Sequence, residues 1–193
     1  MVVVVALIAG LVAAARYLFS GNSQRNEETQ TIIESARDQL LAVNTGRSIR
    51  MTVRGPIVAD ENFSSYQVAI SPSSRVYTLF DGYLDAVKDT KSFDNNTKAY
   101  EEFVYALDKA NITKPGKYTE DQASDLRGIC ATGRIYKFEF IDSGSVKKNY
   151  WTSTCKGSPG TFGANIPQVT NLFSAQLPDV KLDGIGATNQ LSF

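Results

Sequence analysis

The chain contains few residues of the kinds that carry chemistry. Its 193 residues include no histidine and only two cysteines, Cys130 and Cys155. Histidine is the usual general base near neutral pH and the commonest metal ligand, and two cysteines cannot complete a zinc or iron–sulfur site within one chain. The sequence also lacks a Gly-x-Ser-x-Gly elbow, a phosphate loop and a paired-carboxylate motif. We therefore predict no catalytic residue, no metal site, no cofactor and no enzyme, with catalysis by serine or carboxylate groups as the less favoured alternative.

The two cysteines flank a predicted β-hairpin. Residues 134–141 alternate in polarity and predict the first strand, and residues 142–145 are typical of a turn. Residues 146–154 then form the predicted second strand. If Ser143-Gly144 is a two-residue loop, Cys130 lies opposite Gly157, two positions from Cys155. A bulge near Gly133, or a different loop length, would bring the cysteines to the Cα separation of roughly 5.5–6 Å that a disulfide needs.

We predict a disulfide between Cys130 and Cys155, with two buried free thiols as the alternative. Redox or catalytic use is not favoured, because the spacing is not Cys-x-x-Cys. Disulfides persist in oxidising compartments and are rare in the cytosol. The bond therefore predicts an extracytoplasmic domain.

The first nineteen residues are almost entirely apolar, since residues 2–15 include no polar side chain and only Arg16 interrupts the rest. A spanning helix needs about 20 mostly apolar residues. Residues 1–19 predict a transmembrane anchor if Arg16 snorkels and the rings of Tyr17 and Phe19 lie at the headgroups. A cleaved signal peptide and a buried core helix are the alternatives. The basic residues that follow the segment favour a cytoplasmic domain, whereas the predicted disulfide favours the opposite side, which we adopt.

We predict four regions along the chain: a transmembrane anchor over 1–19, a helical stalk or linker over 20–46, an extracytoplasmic α+β domain over 47–178 and a flexible tail over 179–193. Within the domain, alternation with period two predicts strands, and apolar stripes at helical spacing predict helices. The strands are expected at 48–54, 66–70 and 76–80 and in the hairpin, and the helices at 97–110 and 165–177. Residues 83–87 fit either a strand or a short helix.

The fold class predicted is α+β. It combines an N-terminal apolar helix with an antiparallel sheet of about five strands, packed by two or three amphipathic helices and closed by one disulfide. Loops 114–127 and 156–164 are the predicted contact surfaces, because binding residues concentrate on loops held by a rigid scaffold. The second loop is rich in glycine and serine, which is typical of a flexible surface loop.

The charge balance bears on partners. Twenty basic and twenty acidic residues give no net field toward nucleic acid. The predicted partners are the lipid bilayer, through residues 2–19, and a protein or envelope component.

Two resemblances add to these predictions. In its order of parts the chain resembles a type IV pilin or pseudopilin, but the pilin motif of a processing glycine, an aromatic residue and a glutamate has no counterpart in residues 2–10. The runs GYLD at 82–85, AYEEFVYALDKAN at 99–111 and RGICATG at 127–133 resemble uncharacterised single-span, disulfide-bearing surface proteins of candidate-phylum bacteria. That second resemblance implies an anchored extracytoplasmic domain and no assigned activity.

The predicted function is a membrane-anchored extracytoplasmic binding or envelope-structural module without catalytic activity. The alternative is a pilin- or pseudopilin-like subunit of a surface filament or secretion apparatus.

Overall fold

The computed structural model describes residues 30–31, 33–118, 125–158 and 160–182. The chain divides into two units, Met1–Ala36 and Arg37–Phe193. In the first unit the described residues, 30–31 and 33–36, are helical. The predicted anchor over residues 1–19 lies outside the described residues, and within the described ranges no helix is long and apolar enough to cross a bilayer.

The second unit is built on one antiparallel sheet of six strands in the order β4-β3-β2-β1-β5-β6. The α+β class is confirmed, and the predicted number of about five strands is corrected to six. A short helical segment, residues 37–41 (α1), precedes the sheet. The strands are β1 (Arg47–Arg54), β2 (Ser64–Ile70), β3 (Ser74–Asp81), β4 (Ala86–Asp94), β5 (Ile135–Asp142) and β6 (Ser145–Ser153), and the later helices are α2 (Thr97–Lys109) and α3 (Ile166–Ser174).

The main core lies on one side of the sheet because the strands alternate as predicted. Ile49, Met51 and Val53 of β1 are buried, and Met51 lies opposite Phe138 of β5. Successive side chains of a strand point to opposite faces, so one residue in two joins this core. The two helices cover the same side.

Helix α2 begins where Asn96 accepts a hydrogen bond from the backbone N–H of Ala99 at 2.9 Å. Asparagine is among the best residues for satisfying the free donors of a helix start. Its buried residues include Phe103, whose ring meets that of Phe173 of α3 edge to face at 5.2 Å. Fully burying a side chain of this size contributes about 1.5–3 kcal/mol, and the sheet depends on this cover for its stability.

Strand β4 is the element that the sequence pattern did not reveal. Residues 83–87 fitted either a strand or a short helix, and the structure instead makes a turn there and begins a strand at Ala86. Gly82 and Asp85 both have positive φ, of 70° and 53°, in that turn. Almost every residue of β4 is exposed, so the strand has no apolar face from which alternation could be read.

The predicted flexible loop over 156–164 is wrong for its second half. Thr161 and Phe162 are buried, and Phe162 packs in the main core. The backbone N–H of Phe162 donates to the carbonyl oxygen of Trp151 at 2.9 Å, which fixes the segment along the outer side of β6. Gly160 permits this close approach, because a Cβ atom there would collide with the carbonyl oxygen of Trp151. The core also includes Leu182, inside the range predicted as a tail.

Candidate binding cavity

The side of the sheet facing away from α2 and α3 is largely polar and carries a buried carboxylate. Nε of Arg50 donates to Oε2 of Glu139 at 2.7 Å, and Nζ of Lys137 lies 2.6 Å from Oε1 of Glu139. The side chain of Glu139 is only 4% exposed. Burial raises the pKa of Glu139, but the hydrogen bonds from Arg50 and Lys137 outweigh it, and the net pKa is lowered. The carboxylate therefore stays ionised and ties β1 to β5.

The disulfide closes the open end of the β5–β6 hairpin, which confirms the predicted pairing of Cys130 with Cys155. Their Cα atoms are 5.4 Å apart. The predicted two-residue turn is present, with positive φ at Ser143 and Gly144. The bulge lies between Phe140 and Ile141 rather than near Gly133.

A turn before β5 brings Cys130 close to Cys155. Its backbone has positive φ at Gly128 and at Cys130, and the N–H of Gly133 donates to the carbonyl oxygen of Cys130 at 3.3 Å. A Cβ atom added to Gly133 would collide with Thr154 Oγ1 and lie 2.7 Å from Cys130 Sγ. Only glycine fits between the turn and the bond.

A second apolar cluster forms around the disulfide, distinct from the main core. Its buried members are Cys130, Ile135 and Trp151, and Tyr118, Leu126, Ile129 and Cys155 pack against them. Ile135 lies opposite Arg54 of β1, and Trp151 lies opposite Lys137. By strand alternation this cluster covers one corner of the sheet on the side away from the helices.

Beside this cluster lies a cavity of about 240 Å³. Its aromatic wall is formed by the stacked rings of Phe63 and Tyr83, whose centroids are 4.0 Å apart with 15° between their planes. The apolar residues that line the remainder are Ile57, Leu126, Ile129 and Ile135.

Tyr83 is held in place from both ends. Its hydroxyl donates to the carbonyl oxygen of Val58 at 2.7 Å and accepts from the N–H of Val58 at 3.0 Å. Its backbone N–H donates to Asp60 Oδ1 at 2.7 Å. With its hydroxyl engaged in this way, the ring presents an apolar face to the cavity.

Arg54 supplies the charge of the cavity. Its guanidinium lies 5.4 Å from the ring centroid of Phe63, close enough for a cation–π contact. Among the described residues no carboxylate forms an ion pair with Arg54. The other lining arginine, Arg127, is bound to Asp125 at 2.6 Å, and this partner lowers the pKa of Asp125 to about 2. Of the two lining arginines, only Arg127 forms an ion pair with a described carboxylate.

The cavity lining restricts the chemistry available. Its described residues are apolar or aromatic side chains, glycine backbone and two arginines, with no carboxylate, thiol or lysine. Such a lining can stack, exclude water and donate charge-assisted hydrogen bonds. Within the described ranges no group of three or more aspartate, glutamate or cysteine residues is placed to hold a metal ion.

The predicted contact loops contribute unequally to this cavity. Leu126 and Arg127 of loop 114–127 line it, and no described residue of loop 156–164 does. Arg54, Phe63 and Tyr83 were missed by sequence reasoning. Arg54 carried one usable signal, a charged residue at the end of an alternating strand before Gly55-Pro56. Phe63 and Tyr83 are distant in sequence, and only the pairing of β2 with β3 brings them together.

No protein-family model matches this sequence, and no curated protein sequence matches it significantly.

Proposed function

We propose that the chain is a membrane-anchored, extracytoplasmic binding module without catalytic activity, and that it binds its ligand in the Arg54 cavity. The observation that carries the proposal is a guanidinium that lines an apolar, aromatic cavity and has no carboxylate partner among the described residues. The apolar run of residues 2–19 supports the anchor. The Cys130–Cys155 bond supports an oxidising compartment.

The ligand chemistry follows from the lining. The Phe63–Tyr83 stack and the isoleucines favour a flat or branched apolar group, and Arg54 favours a carboxylate attached to it. A small aromatic acid and the C-terminal residue of a peptide both offer this combination. In either case the carboxylate would complete an ion pair with Arg54.

The test is a titration of the full-length chain in detergent micelles with 3-phenylpropanoate, followed by calorimetry. We expect saturable binding that is lost for 3-phenylpropanamide, which keeps the ring and removes the charge. A peptide ending in a free phenylalanine carboxylate, compared with its amidated form, distinguishes the two ligand sources.

Two variants locate the site. Arg54→Gln should weaken phenylpropanoate binding about tenfold or more, because hydrogen bonds to charged groups contribute about 1.5–3 kcal/mol. Arg127→Gln is the matched control, since Arg127 is 88% exposed and already paired with Asp125. Equal binding of acid and amide, or equal loss in both variants, would refute the assignment of the carboxylate to Arg54.

The anchored, extracytoplasmic placement has its own test. Glu102 is 70% exposed on α2, so Glu102→Cys presents a thiol on the surface of the domain. A membrane-impermeant thiol reagent should label this variant in intact cells, and labelling that requires permeabilised cells would contradict the placement.

A further inference from the structure

The two outer strands of the sheet differ in how their free sides are covered. Along β6, the N–H of Trp151 donates to Thr161 Oγ1, and the N–H of Phe162 donates to the carbonyl oxygen of Trp151. Along β4, the described part of the chain provides no strand or loop of this kind, and eight of the nine residues are exposed. Such an edge offers a row of backbone donors and acceptors to another strand.

Two charged side chains on β4, Asp89 and Lys91, form no ion pair in the part of the chain that the structure describes. The adjacent Lys88, by contrast, lies 3.4 Å from Asp81. Asp89 lies opposite Leu79 and Lys91 opposite Tyr77, so both side chains share one face of the sheet.

The geometry of antiparallel pairing limits how β4 could pair with a copy of itself. Directly opposite residues of an antiparallel pair point their side chains to the same face of the sheet. The two-fold axis must therefore lie midway between one residue and the same residue of the second copy. An axis at Lys88, Asp89 or Lys91 sets like charges directly opposite, which is destabilising. An axis at Ser92 brings together no opposite charges.

An axis at Thr90 gives a self-complementary pair. It places Asp89 opposite Lys91 of the second copy and Lys91 opposite Asp89 of that copy, with Thr90 facing its own equivalent. Opposite charges and paired threonines both stabilise facing strands. These residues lie in the regular part of β4, because the register shift falls on its N-terminal side, where Asp89 pairs with Leu79 and Val87 with Phe80.

We propose that β4 binds β4 of a second copy of this chain, antiparallel and centred on Thr90. The two sheets then form one continuous sheet with their helices on the same side. A two-fold contact of this kind is closed and ends at two copies, unlike the head-to-tail contact of a filament. It uses none of the residues of the Arg54 cavity, so it is independent of the proposed binding function.

A cross-linking experiment tests the register. Directly opposite residues of an antiparallel pair have Cα atoms about 4.5–5.5 Å apart, within the roughly 4.4–6.8 Å range of disulfides. We expect Thr90→Cys in the full-length chain in detergent to form a covalent dimer on oxidation. Ser92→Cys is the matched control, because Ser92 would face Lys88 of the second copy. Equal cross-linking of the two variants, or none at Thr90→Cys, would overturn the register.

A charge exchange tests the contact by sedimentation of the full-length chain. Asp89→Lys and Lys91→Asp should each weaken dimerisation about tenfold, and the double variant should restore it because it recreates opposite pairs. Both side chains are exposed, so the single variants leave the core intact. A chain that is monomeric up to about one millimolar, or a dimer indifferent to all three variants, would show that β4 does not bind a second copy.

Discussion

Gly133 shows how a single residue position can depend on the disulfide. A methyl group there would collide with Thr154 Oγ1 and crowd Cys130 Sγ. Forcing extra volume into a packed site costs about 1–3 kcal/mol. We therefore predict that Gly133→Ala lowers the free energy of unfolding by this amount, measured by denaturant titration of the oxidised protein.

Gly157 provides the control for that variant. A Cβ atom at Gly157 meets no heavy atom within 4 Å, and its φ is not in the left-handed region. Gly157→Ala should leave stability unchanged or raise it by about 0.4–1 kcal/mol, because alanine restricts the unfolded chain. Similar losses for both alanine variants would mean that contact with the disulfide is not the cause.

We expect Glu139 to make the free energy of unfolding depend on pH. The hydrogen bonds from Arg50 and Lys137 hold its pKa below the unfolded value despite the burial that raises it. A lowered folded-state pKa contributes stability that is complete above the unfolded pKa, about 4.3, and is lost as pH falls through the folded pKa. Glu139→Gln should thus cost about 1–3 kcal/mol at pH 7, with the difference from the natural chain shrinking below about pH 4.

Asp125→Asn is a useful comparison for the pH series. Arg127 lowers the pKa of Asp125 to about 2, but both side chains are highly exposed and lie two positions apart. An interaction this local can persist in the unfolded chain, so we expect the denaturation midpoint of Asp125→Asn to match that of the natural chain at every pH. A pH-independent loss in Glu139→Gln would show that shape, and not charge, is what Glu139 contributes.

At the scale of elements, the features readable from sequence were those with one apolar face. The main core receives apolar residues at regular spacing from β1, β2, β3, the β5–β6 hairpin, α2 and α3. Strand β4 buries almost nothing, so it left no pattern. The prediction of a flexible loop around Phe162 was wrong because the segment has the composition of a loop while its backbone is hydrogen-bonded to β6.

The cavity was the least predictable feature, for a related reason. Its walls come from the end of β1, the residues before β2, the β3–β4 turn and the turn before β5. No local pattern connects Arg54 with Tyr83 or Ile129, and only the strand order does so. The disulfide could be predicted because its two cysteines flank one hairpin.

The start of α2 gives the prediction that belongs to this scale. Asn96 accepts from the N–H of Ala99, and replacing such a residue with alanine costs about 0.5–2 kcal/mol. Asn96→Ala should lower the free energy of unfolding by that amount, while Asn96→Asp should retain stability because aspartate keeps the acceptor. Equal losses in both variants, measured by denaturant titration, would contradict the capping role.

At the scale of the whole molecule, the sheet separates two packed regions. The main core and helices lie on one side, and the disulfide cluster that walls the Arg54 cavity lies at a corner of the other. The bond closes a loop with a sequence separation of 25. In the chain-entropy model, a loop of this size stabilises the folded state by about 3–4 kcal/mol.

Removing the bond should therefore lower stability, and the proposed function predicts that it weakens ligand binding as well. Cys130→Ser with Cys155→Ser is expected to lose that stability and also to bind phenylpropanoate more weakly, because Leu126 and Ile129 belong to both the cluster and the cavity wall. Asn96→Ala destabilises the helix side and should leave the affinity of the folded protein unchanged. If both variants bind the acid equally well under conditions where each is folded, the cavity wall does not depend on the disulfide. A loss confined to the cysteine variant would instead mean that the Cys130–Cys155 bond maintains the shape of the ligand site as well as the stability of the fold.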